Sequence, residues 1–270
     1  MLGLARIVFG GLVLLRTTPL LAPLHLPYLD DTGPLLGWPT TAWRVAAFGL
    51  ALPPGVVAAL CVARTLAAIL FTIGVRAAAS GIAGGVLGWI VLSQDAMGYI
   101  NTLHLLFLGM VVLGAGGAGA FLALRPDPVV DPSSGVALVR ALVVSVYLWS
   151  GLAKLNGSWL SGGALAQLYE HGMVRATLAE SLLKWTPGRT ATAWAIAAIE
   201  LTLGPLLLWT RSRRVAVVAA LTLHAALEAA VHPDFFGFAM AALLLSFVSP
   251  RVAASTGTNP PTRPSVPATR

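Results

Sequence analysis

Six ionisable side chains lie within or beside long apolar runs of this 270-residue chain: Arg64, His104, Lys154, Glu200, His224 and Glu228. A charge at the bilayer centre costs at least about 2.5–3.5 kcal/mol, even on insertion scales. Such groups therefore face a bundle interior, a partner or a water-filled cavity. Together the six supply bases, carboxylates and a fixed cation, the side-chain types that proton transfer uses. His224 and Glu228 are four residues apart and share one helix face. Plainer roles stand beside the chemical ones. Lys154 could reach the headgroups, as Arg16 is expected to do. Arg64 is expected to pair with Glu200 or Glu228 as structural glue, and His104 could be a satisfied interior histidine. Trp149, Trp159 and Trp185 are expected to be interfacial anchors. His224, Glu228 and His232 follow an i, i+4, i+8 spacing, but His232 precedes Pro233, which pulls it out of helical geometry. No metal site is expected. Cys61 is the single cysteine, which excludes an internal disulfide and a thiol redox pair.

The elements that must carry these residues are membrane helices. The chain is 57% hydrophobic and 10% charged, against about 25% charged in ordinary soluble domains. The apolar runs are continuous and rich in Ala and Leu, whereas barrel strands would alternate. The expected fold is all-α, a polytopic transmembrane bundle of about eight spans. These cover Leu2–Leu21, Pro54–Val75, Ala77–Ser93, Asn101–Leu124, Val136–Lys154, Thr190–Trp209, Val215–Val231 and Phe235–Val248. The first run is expected to be a retained span rather than a cleaved signal peptide. Arg44–Leu52 is expected to form a partial or surface helix. Arg76, Arg125, the Arg211/Arg213/Arg214 cluster and the tail arginines fall on one side, and Asp30, Asp31, Asp95, Asp234 and a mixed-charge loop with Glu170, Arg175, Glu180, Lys184 and Arg189 on the other. The positive-inside rule then makes both termini cytoplasmic. The net charge of +7 reflects this loop bias and not nucleic-acid binding. Gly81/Gly85, Gly84/Gly88 and the Gly114–Gly119 patch are expected helix contacts. Residues 1–250 read as one transmembrane domain and 251–270, rich in Pro, Ser and Thr, as a disordered polar tail.

The segment Tyr147-x-x-Ser150-Gly151-x-x-Lys154-x-x-x-x-Trp159-x-x-Gly162 resembles the signature of the HTTM domain, the membrane portion of vitamin K-dependent γ-carboxylases. Further landmarks recur in the same order. They are Glu200 with Gly204-Pro205, the basic turn Arg211–Arg214, His224, and "FFGF" at Phe235–Phe238. "LARIVFGGLVLL" resembles the opening helix. Asn101–His104 resembles the family's asparagine–histidine segment, although Thr102 and Leu103 separate the two residues here. In the carboxylase, a lysine of this motif is regarded as the base that deprotonates reduced vitamin K. Oxygenation then yields a strong base that takes a proton from a glutamate side chain, to which carbon dioxide adds. The resemblance therefore implies a lyase-like membrane enzyme with Lys154 as catalytic base and His104 as helper. Arg64, Tyr147, Trp159, Glu200, His224 and Glu228 would shape the substrate cavity. The implied cofactor is a reduced quinone such as vitamin K hydroquinone. The implied partners are the lipid bilayer and a lipophilic small molecule, with no nucleic acid and no protein partner specified. Residence in a bacterial plasma membrane is expected. Peptidyl-glutamate carboxylation is not expected to transfer with the fold, because no substrate-recruiting extra-membrane domain is expected. The alternative is a non-catalytic membrane subunit or assembly partner whose charges hold helices together.

Overall fold

A computed structural model describes residues 1–17, 52–94, 101–128, 132–230 and 235–248. The surface helix expected over Arg44–Leu52 falls, except for Leu52, outside these residues. So do Asp30, Asp31, Asp95, His232, Pro233, Asp234 and the polar tail. The described residues form eleven helices and no strand. They are α1 (Leu2–Thr17), α2 (Pro54–Ile73), α3 (Ala77–Gln94), α4 (Asn101–Ala115) and α5 (Pro132–Ala153). Three short ones follow, α6 (Gly157–Leu160), α7 (Gly163–Glu170) and α8 (Thr177–Lys184). The last three are α9 (Thr186–Leu208), α10 (Arg213–Ala230) and α11 (Phe236–Val248). Gly55–Ile73, Ser133–Ala153 and Thr186–Leu208 are long and apolar enough to cross a membrane, and Ala77–Ser93, Thr102–Ala115 and Phe236–Val248 are shorter apolar helices. The molecule is an all-α membrane bundle.

Local chemistry sets the helix ends. Proline at the start of α2 lacks only an N–H that the first turn leaves unpaired anyway. At its other end Gly74 adopts φ 75, a left-handed conformation that costs glycine little. The Gly74 N–H reaches the Phe71 carbonyl and the Val75 N–H the Leu70 carbonyl, at 3.1 and 2.9 Å. This pairing closes the helix as a Schellman motif. The start of α3 is satisfied from a distance, with Ala78 donating to Asp127 Oδ2 at 2.9 Å.

Two expectations are corrected here. The fourth apolar run does not stay helical to Leu124. It stops at Ala115, and the chain turns through Gly117 at φ 75. Nor is the segment between α5 and α9 a plain loop, since it carries α6, α7 and α8.

Small residues seat α3 against its neighbours. A Cβ on Gly81 would meet Phe71 Cε2 at 2.7 Å and the Met110 carbonyl at 2.8 Å, and one on Gly85 would meet the Phe107 carbonyl at 2.5 Å. Backbone approach this close requires glycine. Phe9, Phe71, Phe107 and Met110 fill the space among α1–α4, while Val143, Leu203, Leu207 and Met240 fill that among α5, α9 and α11. The outside is equally greasy. Leu66, Leu70, Trp194, Val218 and Leu221 are exposed, which suits a lipid-facing surface and not a water-facing one.

The bundle has two chemically distinct ends. Leu124 donates to the Ile73 carbonyl at 2.9 Å, and Arg6 near the start of α1 donates to the Leu122 carbonyl. Arg140, early in α5, donates to the Ser246 carbonyl late in α11 at 3.0 and 2.6 Å. These contacts gather the start of α1, the end of α2, the turn after α4, the start of α5 and the end of α11 at one end. Arg76 and Arg125 are exposed there. The opposite end holds the end of α5, the three short helices, the end of α10 and the start of α11.

Candidate functional site: a buried lysine–glutamate pair between two cavities

Lys154 follows the last turn of α5. Helix periodicity places Ser150 one turn beneath it, and the Ser150 Oγ accepts a hydrogen bond from Lys154 Nζ at 2.6 Å. Nζ also donates to Glu200 Oε2 at 2.6 Å, with the two side chains 17% and 10% exposed. α5 and α9 come close enough for this because Gly151 faces Leu201, where a Cβ would sit 2.7 Å from Leu201 Cγ. Trp159 covers the pair from α6. Its ring centroid lies 5.1 Å from Nζ, and its indole N–H donates to the Ala193 carbonyl at 3.1 Å. Cation–π contact and ion pair together hold the amine in place.

Lys154, Trp159, Glu200 and Phe236 line two cavities at once. The first, of about 340 Å³, falls within the size range of small-molecule pockets. Its roof is Leu165 and Leu168 of α7 with Ala179, Leu182 and Leu183 of α8. Its floor adds His224, Glu228 and Gly237. The short helices thus form an apolar cap. The cap is tied to the end of α10 by the Arg175 N–H on the Ala230 carbonyl at 2.8 Å. The second cavity, of about 790 Å³, lies toward α4 and includes Thr102, His104, Ser145, Trp149 and Ser150.

The sequence-derived candidates distribute unevenly. Lys154, Trp159 and Glu200 converge on one contact. His224 and Glu228 line the first cavity. Tyr147 is buried and lines neither, but its hydroxyl lies 2.8 Å from His224 Nε2, in hydrogen-bond contact. His224 also faces the Phe236 ring, with centroids 5.7 Å apart. His104 lines the second cavity beside Lys154 and stacks on Trp89, with centroids 5.2 Å apart. Glu228 Oε1 accepts from the Gly237 N–H at 2.8 Å.

Arg64 departs from expectation. It does not pair with Glu200 or Glu228. It donates to the Thr17 carbonyl at 3.4 Å, with its guanidinium 5.9 Å from the Phe107 ring centroid. The reason is position, because α2 packs on α1 and α3, whereas Glu200 on α9 is engaged by Lys154 of neighbouring α5. Arg64 lines neither cavity. Trp159 is half-buried against the pair, whereas Trp149 and Trp185 are exposed.

Sequence reasoning missed Ser150 and the cap leucines as site residues. Ser150 was detectable, since i and i+4 share a helix face. The cap residues Leu165/Leu168 and Ala179/Leu182/Leu183 keep helical spacing only over one or two turns, too short a stretch to mark a helix.

No curated protein and no solved structure matches the chain. The model of the HTTM domain matches residues 1–251, so this integral membrane protein belongs to the HTTM domain family.

Proposed function

We propose that this HTTM protein is an enzyme that takes a proton from a hydroxyl of a lipophilic, quinol-like molecule. The observation that carries the reading is the Lys154–Glu200 pair, held in the wall shared by two cavities and roofed by an apolar cap. An apolar cavity with few polar groups suits a greasy ligand carrying a polar end. Lys154 acts as the base and Glu200 holds the proton that Lys154 must shed first. Passing one proton along the 2.6 Å hydrogen bond converts ammonium and carboxylate into amine and carboxylic acid. In an apolar surrounding this conversion avoids two buried charges. The amine then accepts the ligand's hydroxyl proton. The products are an ammonium at Lys154, a protonated Glu200 and a phenolate lying against the ammonium. Ser150 and Trp159 keep Nζ in position throughout. His104, in the second cavity, assists on that side.

The end bearing Arg76 and Arg125 is cytoplasmic by the positive-inside rule, which puts the pair near the outer face. Carboxylation of a peptide glutamate is not included in the proposal.

The test is Lys154→Arg in purified protein reconstituted in nanodiscs. Arginine keeps the charge but cannot become an amine. Its fork also engages both carboxylate oxygens of Glu200. Reduced 2-methyl-1,4-naphthoquinone is added anaerobically and the quinolate absorption is recorded. Wild type should generate bound quinolate. Lys154→Arg should elute and melt like wild type but form quinolate about 10²–10⁴-fold more slowly, the usual weight of a positioned base. Unchanged quinolate formation in a folded Lys154→Arg protein would favour the non-catalytic alternative.

A further inference from the structure

α8 roofs the first cavity with one side and carries a second apolar edge that the cavity does not use. Ala179, Leu182 and Leu183 line the cavity, and Leu183 is buried. Met173, Leu178 and Trp185 line neither cavity, yet they are 44%, 75% and 64% exposed. At about 3.6 residues per turn, Leu178, Leu182, Ala179 and Leu183 form one continuous apolar arc of α8. Thr177, Glu180, Ser181 and Lys184 fill the remaining arc, and all four are exposed. Glu180 precedes Lys184 by four residues, the order and spacing that favour attraction on a helix surface. α8 is therefore amphipathic, but its apolar arc is wider than the cavity beneath it. Leu182, which is 45% exposed and also lines the cavity, marks the edge between the two parts.

Chain connectivity fixes the level of this surplus apolar surface. Trp185 follows α8 directly, and the next residue opens the spanning helix α9. With eight residues, α8 is too short to cross a bilayer itself. Its free edge thus sits where a span meets the headgroups, the level at which tryptophan is enriched. Along α9 exposed apolar surface continues through Trp194 and Ile199, on the lipid-facing wall of the bundle. Facing water, such a contiguous apolar surface would be unfavourable; facing acyl chains, it extends the wall already in lipid.

We propose that α8 is an interfacial helix whose Leu178 edge is embedded in the leaflet on the cap side, with Glu180 and Lys184 turned to headgroups and water. The partner of this surface is the lipid itself. The cap then has two apolar supports, the bundle beneath Leu183 and the leaflet beside Leu178. This inference goes beyond the proton-transfer reading, and it requires neither a ligand in the first cavity nor a base at Lys154.

The test measures depth residue by residue. Leu178→Cys, Glu180→Cys and Lys184→Cys are made one at a time in the full-length protein carrying Cys61→Ala. Each is nitroxide-labelled and reconstituted in phosphatidylcholine nanodiscs. Power saturation is recorded with oxygen, which partitions into lipid, and with a water-soluble nickel chelate. The label at 178 should be more accessible to oxygen than to nickel, at a depth of about 5–10 Å past the headgroup boundary. Labels at 180 and 184 should show the opposite preference. Cys61 is buried, so if Cys61→Ala does not fold, the native background serves, with the signal of labelled wild type subtracted. A nickel preference at 178 would show that water covers the edge. Exclusion of both reagents there would show that another stretch of protein covers it. Either result would overturn the proposal, as would an oxygen preference at all three positions.

Discussion

At the scale of single residues, the energetics of Lys154 and Glu200 are those of a mostly buried ion pair. Removing one partner leaves an uncompensated charge, at a cost of about 3–5 kcal/mol, whereas removing both is often close to neutral. Residual exposure of 10–17% puts this pair toward the lower part of that range. Glu200→Leu alone is therefore expected to destabilise the bundle by about 3 kcal/mol. The double variant Lys154→Met/Glu200→Leu should recover most of that loss, as read by thermal unfolding of both proteins in the same detergent. Additive losses would mean that the two side chains do not support each other. Part of this site was legible in the sequence, since a glutamate within an apolar run is expected to face inward, whereas Lys154 at the end of its run could also have reached the headgroups. Their pairing was not. Depth along a helix follows from residue count, but which helices are neighbours does not, and α2, which carries Arg64, packs chiefly on α1 and α3 rather than on α9 or α10. The Tyr147–His224 contact was hidden for the same reason, because its partners are 77 residues apart.

At the scale of elements, the cap is the decisive feature and the one the apolar runs concealed. Helices of four and eight residues carry too little periodicity to stand out between spans of about 20. α4 misled in the opposite direction. Residues after Ala115 remain apolar, so hydropathy extends the helix, but glycines there release the backbone into a turn. Leu165 and Leu183 of the cap form a small cluster with Ala193 of α9, backed by Trp159, Leu168 and Val174. A cluster of that size should open independently of the bundle. Leu183→Ala is expected to weaken it by about 2 kcal/mol, the lower end for such truncations. Amide hydrogens of 157–184 should then exchange roughly thirtyfold faster, while those of α5 and α9 are unchanged. Uniform acceleration across the bundle would show that the cap is no separate unit.

At the scale of the whole molecule, the two ends divide the work. One end gathers arginines and backbone ties that hold helix termini together, and the other holds the paired charges under an apolar roof. Membrane residence followed from composition, with 10% charged residues, and the all-α class from the continuity of the apolar runs. The pair of half-open, mostly apolar cavities around Lys154 and Glu200 was the part that needed coordinates. Mass spectrometry of molecules extracted from purified protein tests most directly whether a lipophilic hydroxyl compound rests against Lys154 and Glu200. Wild type should retain one lipophilic hydroxyl compound in near-stoichiometric amount, well above bulk lipid. Leu168→Trp, which fills the roof of the first cavity, should purify as a folded protein without it. Equal retention by both proteins, or nothing beyond bulk lipid in wild type, would contradict the account.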